Sequence, residues 1–266
     1  MQNLMVRLAF VLCAVLALNF LGGCAGDARG GDPWAKGNRA FYDFDDGLDR
    51  VALKPAADCY VKVIPKPVRQ GLGNGFDNLT YPNVILNSFL QGKWDQGWSD
   101  AGRMLVNSTI GIVGIFDVAS GWGMVIHDTD FGITLGKWGV QQGPYLVLPL
   151  FGPSTARDVN GLIVGFVTNP LFWVDMPLAA TISVSSVQAV DQRARAESWV
   201  KFRDEAAIDG YAFTRDAYLQ FRESQVHDGK PAVDQSFYDD DTGPATRPAT
   251  RPTTPPATQP ATSRGE

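Results

Sequence analysis

FGITLGKWGVQQGPYLVLPLFGPSTARD, residues Phe131 to Asp158, decides how the rest of the chain is read. Gly132, Gly136, Gly139, Gly143 and Gly152 alternate with Pro144, Pro149 and Pro153, so the stretch cannot form one long helix. Leu146, Val147, Leu148, Leu150 and Phe151 make it too apolar for a solvated linker. The reading is an ordered, partly buried irregular segment, closed by the Arg157-Asp158 pair, whose glycines and prolines line something.

The N-terminus reads as a targeting signal. Arg7 precedes an unbroken apolar run of 11 residues, Leu8 to Leu18. That run is shorter than the ~20 residues a spanning helix needs. Leu21-Gly22-Gly23-Cys24 then resembles the bacterial lipobox, with cleavage before Cys24 and lipid attachment to it. Residues 1–23 are therefore expected to be a lipoprotein signal peptide and 24–34 the lipidated Cys24 and a short tether. Ala25 stands where Asp would favour inner-membrane retention, so sorting to the outer membrane is expected. Of three cysteines, Cys13 leaves with the signal and Cys24 carries lipid, so Cys59 has no disulfide partner and reads as a small buried hydrophobe.

Composition removes several functions. The net charge is −5, and becomes −6 once Arg7 is cleaved off, with no basic cluster; nucleic acid is not an expected partner. Membrane contact must come from the anchor and from apolar surface. Two histidines, His127 and His227, have no second His or Cys at ligand spacing, so no metal site, cofactor or catalytic constellation is expected. His127-Asp128-Thr129-Asp130 reads as a polar turn, and the acids from Asp43 to Asp49 as a solvated or capping surface.

Periodicity makes the remainder mainly α. Asn38 or Asp43 is placed to cap helical turns, and Phe41, Tyr42 and Phe44 read as core. Val68, Leu72, Phe76 and Leu79 form one helical stripe, and a separate short helix is expected from Pro82 to Gly92. Trp94, Trp98, Ala101 and Leu105 form another stripe, which suits either a membrane interface or a soluble core. In NSTIGIVGIFDVA, Asn107 to Ala119, Gly111 and Gly114 would let helices approach closely, and Asp117 needs a partner such as Arg103 or Arg157. Gly161 to Val190 is apolar but broken by Pro170 and Pro177 into pieces too short to span. The charged helical segment Gln192 to Glu223 splits near Asp209-Gly210, with Trp199, Phe202, Tyr218 and Phe221 expected to face inward. Residues 236–266, rich in Thr and Pro, are expected to form a disordered tail. That leaves one domain, 35–235.

Three blocks carry a resemblance: NRAFYDF (Asn38 to Phe44), PNVILNSFLQG (Pro82 to Gly92) and RMLVNSTIGIVGIFDVA (Arg103 to Ala119). The opening stretch adds Gly132, Gly136, Trp138-Gly139, Gly143-Pro144-Tyr145, Pro149, Gly152-Pro153 and Arg157-Asp158. Together, in this order, they resemble the VacJ/MlaA family of outer-membrane lipoproteins. The acidic DFDDGLD and the Thr/Pro tail depart from that pattern. The resemblance implies short helices lying in the membrane plane, in a ring around an amphipathic channel. It implies a lipoprotein in the periplasm-facing leaflet that removes misplaced phospholipids from the outer leaflet and passes them to a periplasmic lipid-shuttle protein. A trimeric porin is the implied neighbour, and no enzyme is implied. In that setting Asn38, Arg39, Asn107, Gly111, Gly114, Asp117, Gly136, Gly139, Gly143, Pro149, Gly152, Pro153 and Asp158 are motif residues. Trp138, Tyr145, Arg103 and Arg157 are the channel or interface candidates.

Overall fold

The computed structural model describes residues 32–229. The expectations for the signal peptide, Cys24 and the tail fall on other residues. Within this unit the chain is mainly α. Helix α1 (Ala35–Leu48) continues through one π turn (Asp49–Leu53) into α2 (Lys54–Val63), and α3 (Lys66–Leu90) and α4 (Trp94–Thr109) follow. Next come a single turn α5 (Val118–Gly121), α6 (Phe131–Lys137) and a two-stranded antiparallel hairpin, β1 (Tyr145–Leu148) with β2 (Gly152–Thr155). The chain closes with α7 (Asp158–Thr168), α8 (Leu178–Arg195), α9 (Glu197–Ala206) and α10 (Gly210–Val226).

Pro82 does not start a helix; it lies inside α3, which runs unbroken for 25 residues. Proline costs ~3 kcal/mol in a helix interior, so packing has to outweigh it. Asn78 and Tyr81 are buried just before Pro82, and Val84, Asn87 and Ser88 just after it, where α3 packs along α4, α7 and α8. The glycines that weakened the sequence stripe are close-approach points. A Cβ on Gly71 would lie 3.0 Å from Ile115, and one on Gly73 3.4 Å from the Asp191 carboxylate.

The hairpin is the element that composition concealed. Tyr145 and Val147 are buried and pack with Tyr211, while Pro149 to Phe151 make the turn and Leu150 takes a φ of 70°. Asn38 is not a cap. It sits inside α1 with its side chain against the open edge of β1, its Nδ2 donating to the Tyr145 carbonyl at 2.9 Å and its Oδ1 accepting from the Val147 N–H at 3.0 Å. One amide thus replaces a third strand and meets the demand that buried backbone groups be paired.

Gly111 and Gly114 do not lie on a helix, although Gly114 lets its loop close onto Asn78 of α3. Helix α4 stops at Thr109, and Ile110 to Phe116 form a tight loop in which Ile112, Val113 and Gly114 all have positive φ. Several aromatic and apolar groups expected inside are outside. Phe41, Phe44, Trp199, Phe202 and Phe221 are exposed, as is Cys59, and only Tyr42 and Tyr218 of those clusters pack on the core. The Trp94, Trp98 and Leu105 stripe is about two-thirds exposed, and Ile110, Ile112, Val113 and Phe116 continue that apolar surface. Scattered exposed apolar residues are ordinary in soluble proteins; a continuous run of this kind marks a surface that meets something apolar. No helix among the described residues is long and apolar enough to cross a membrane.

Candidate functional site

Between α3, α7, α8, α10 and the hairpin lies a cavity of about 470 Å³ lined by both apolar and polar residues. Phe151, Leu162 and Phe166 are its large apolar residues, with Phe151 and Phe166 packed edge to face at 5.9 Å. Thr80 and Asn83 from α3, Asn169 after α7 and Gln188 from α8 supply neutral polar groups. Asp130, Asp158, Tyr218 and Arg222 complete the lining.

Those last four residues are gathered by local sequence rules. Asp130 caps α6, its carboxylate accepting from the Ile133 N–H at 3.0 Å, the usual role of an Asp before a helix. Asp158 opens α7, where a carboxylate also meets the positive end of the helix dipole. Arg222 and Tyr218 are one turn apart on α10 and therefore share a face. The Arg222 guanidinium bridges the two carboxylates, donating to Asp130 at 2.7 and 2.9 Å and to Asp158 at 2.9 Å. Tyr218 donates to Asp158 at 2.9 Å, and Arg157 donates to its other oxygen at 3.0 Å. Burial alone would raise the Asp158 pKa; Arg222 and Arg157 outweigh it and hold the carboxyl below its ordinary value.

Glycines let this cluster close. A Cβ on Gly132 would stand 2.5 Å from the Asp158 carboxylate and 2.7 Å from the Arg222 guanidinium. On Gly161 it would stand 2.9 Å from the Gly132 N–H, and on Gly136 2.8 Å from the Arg157 guanidinium. Their absent side chains are what allow α6 and α7 to pack together around buried charges.

The predicted Arg and Asp residues separate into two centres. Arg157 and Asp158 belong to the cavity cluster, although Arg157 stands behind Asp158 and off the lining. Arg103 and Asp117 are elsewhere: Arg103 donates to both Asp117 oxygens at 2.6 Å, to Ser120 at 2.8 Å and to the Met124 carbonyl at 2.7 Å. Asn107 adds a bond to Asp117 at 3.0 Å and accepts from the Ala119 N–H at 2.9 Å. This centre knots the loop after α4. Its hydrogen bonds outweigh burial and keep the Asp117 pKa low.

Tyr145 corrects the expectation of an interface position: it is 4% exposed and part of the core under the hairpin, because the period-two strand turns it away from Leu146. Trp138 is exposed, and its indole N–H donates to the Leu90 carbonyl at 3.1 Å. Arg39 is exposed, pairs with Asp209 at 2.7 Å and lies over the Tyr211 ring. Gly139 and Gly143 turn the loop between α6 and β1, and Pro153 stands in β2 beside the cavity. In the polar turn, His127 meets the fully buried Asp100 at 2.8 Å. Arg222, Asn83 and Gln188 escaped the sequence reading, which turned Tyr218 inward but gave it no partner. The i, i+4 spacing of Tyr218 and Arg222 was the one signal that would have paired them.

The description of the MlaA lipoprotein family matches residues 30–225. The chain belongs to the MlaA lipoprotein family. Its relatives include the intermembrane phospholipid transport system lipoprotein MlaA of Escherichia coli, 34% identical over 77% of this chain and 84% of that protein. The Haemophilus influenzae lipoprotein of the same name is 30% identical over 87% and 96% of the two chains. An uncharacterised protein of Rickettsia bellii is 32% identical over 73% and 76%. Among solved structures, a chain from work on the "Structural basis for maintenance of bacterial outer membrane lipid asymmetry" has a TM-score of 0.65 and 28% identity. It is covered over 99% of its length by 74% of this one. The MlaA likeness thus includes both the helical blocks and the Gly/Pro stretch that joins them.

Proposed function

We propose that this protein is an outer-membrane lipoprotein that removes phospholipids misplaced in the outer leaflet and passes them to a periplasmic carrier, so maintaining lipid asymmetry. The observation that carries this reading is the mixed apolar and polar lining of the cavity. A phospholipid needs apolar surface for its tails and polar groups for its headgroup, and the lining holds both Phe151, Leu162 and Phe166 and Asn83, Asn169 and Gln188. Moving a lipid breaks no bond, so the site requires no nucleophile or general base, and we assign no catalytic activity. The named relatives belong to a phospholipid transport system, which supports the same reading.

In this account the helices lie in the plane of the periplasm-facing leaflet, arranged as a ring around the cavity and anchored through lipid on Cys24. The exposed stripe of Trp94, Trp98 and Leu105 and the apolar loop Ile110 to Phe116 form the lipid-contacting rim, with Trp138 at the interface. Arg103 and Arg157 shape the protein around the path rather than touch the lipid. A trimeric porin is the proposed neighbour in the membrane.

The test is to fill the cavity without disturbing its charges. Gly165 faces the space with only Asn83 nearby, 4.0 Å from where a Cβ would stand. Gly165→Leu is expected to leave the melting temperature within a few degrees of wild type. In vesicles carrying the full-length protein, it should cut transfer of tail-labelled phospholipid to acceptor vesicles by about tenfold or more, because a filled pocket excludes its ligand. Unchanged transfer by a folded Gly165→Leu protein would remove the cavity from the path.

A further inference from the structure

A groove and a small chamber lie against another part of α3 and share no lining residue with the cavity described above. Val68 and Leu72 from the first turns of α3, with Ile115 and Phe116 from the loop after α4, line an apolar groove of about 530 Å³. Val68 and Phe116 are more than half exposed, so the groove is open to the outside. At Asn74 and Asp117, which line both spaces, it adjoins a chamber of about 60 Å³. Asn78, Tyr81 and Arg103 line that chamber and are only 6%, 6% and 2% exposed. Each brings a buried polar atom with no hydrogen-bonding partner among the described residues: Asn78 Oδ1, Tyr81 Oη and Arg103 Nε. The three belong to one space, since the Arg103 guanidinium carbon stands 5.9 Å from the Tyr81 ring centre. Buried polar groups are rarely left unpaired, because each such group costs about 1–3 kcal/mol. The charges of the chamber are already met, Arg103 by Asp117 at 2.6 Å and Asp77 by Arg195 at 2.9 Å. A group that satisfies the three atoms is therefore neutral, accepts from Arg103 and Tyr81, and donates to Asn78.

We infer that the groove and chamber together bind a long-chain fatty acid in its protonated form. Its chain lies along Val68, Leu72, Ile115 and Phe116, and its carboxyl enters the chamber. There the carbonyl oxygen accepts from the Arg103 Nε–H and the Tyr81 hydroxyl, and the acid O–H donates to Asn78 Oδ1. An ionised carboxylate has no proton to give Asn78 and would face Asp117 and Asp77, and burial itself favours the neutral acid. The chamber matches the share of liquid volume taken by roughly two waters, so it takes a carboxyl group but no phosphorylated headgroup. This site is separate from the transport cavity and does not depend on the transport reading.

The experiment reconstitutes the full-length protein in phospholipid vesicles containing one of three probes with the same diazirine-bearing chain: palmitic acid, its methyl ester, or a phosphatidylethanolamine. After irradiation the labelled residues are mapped by mass spectrometry. The acid should label residues 67–74 and 115–117 about three- to tenfold more than either other probe, the worth of the hydrogen bond that the ester lacks. Tyr81→Phe removes a hydroxyl that has no protein partner, so it should keep its melting temperature while labelling by the acid falls toward the level of the ester. Leu72→Trp fills the groove from a part-exposed position and should abolish the preference. Gly165→Leu, which blocks the other cavity, should leave it unchanged. Equal labelling by acid, ester and phospholipid would mean water in the chamber and bulk lipid in the groove, and would overturn the inference. A folded Tyr81→Phe protein that keeps the full preference would overturn it too, and loss of the preference in Gly165→Leu would overturn the separation of the two sites.

Discussion

Replacing Arg222 by Met should destabilise the domain by about 3–5 kcal/mol, because it leaves Asp130 and Asp158 facing each other without their shared cation. For a domain of this size each kcal/mol moves the melting temperature by roughly 2–4 °C, so a fall of about 10 °C or more is expected in thermal unfolding at pH 7. The variant also has a distinct pH signature. Asp158 has a folded pKa held below its unfolded value, so in wild type its contribution is complete above the unfolded value and is lost as pH falls through the folded one. Without Arg222 the main opposition to burial is gone, and protonation should relieve the variant. The stability gap between the two proteins should therefore shrink as pH falls toward 4. A gap that is small at pH 7, or that widens on acidification, would contradict the assignment of Arg222 as the bridge.

Gly114→Ala should cost about 3 kcal/mol or more. Two penalties coincide there: the backbone has φ of 87°, and a Cβ would lie 2.4 Å from the side chain of Asn78, which is buried and donates to Ser108 at 2.9 Å. Ordinary strain at positive φ accounts for only ~1–2 kcal/mol, so the larger part is the collision with α3. The sensitive comparison is Gly123→Ala. That position also has positive φ, 80°, but nothing within 4 Å, so it should lose only the conformational part. Equal losses at the two glycines, measured by denaturant unfolding, would show that the loop does not depend on contact with α3.

Local rules reached much of this fold. Helix stripes placed α4 and the first half of α3, though not its buried face, since Val68 and Leu72 are exposed while Gly71, Gly73 and Asn78 are buried. The split at Asp209 placed the start of α10, where that carboxylate caps the Ala212 N–H at 3.1 Å. Pro82 misled because a local penalty of a few kcal/mol is smaller than the packing gained by continuing α3 beneath three other helices. The β hairpin was hidden because its strands are four residues each, and one edge is closed by a side chain, Asn38, from 107 residues away. Reading Trp199, Phe202 and Phe221 as inward-facing assumed that apolar residues seek a protein core, whereas all three are exposed, as much of any protein's apolar surface is. The site was half legible. Asp158 and Arg157 stood in an evident motif, and Asp117 found Arg103 as its partner. The bridge between Asp130 and Asp158, by contrast, depends on tertiary placement of Arg222 across a separation of 64 residues from Asp158.

The measurement that tests the central claim most directly is the amount of amine-bearing phospholipid on the outside of intact cells, read by a membrane-impermeant amine-reactive label. Loss of this protein should raise the labelled fraction, and restoring the wild-type chain should lower it again. Gly165→Leu, present at equal abundance in the same membrane, should leave it high. Labelling that does not rise on loss of the protein, or that Gly165→Leu corrects as fully as wild type, would contradict passage of phospholipid through this cavity.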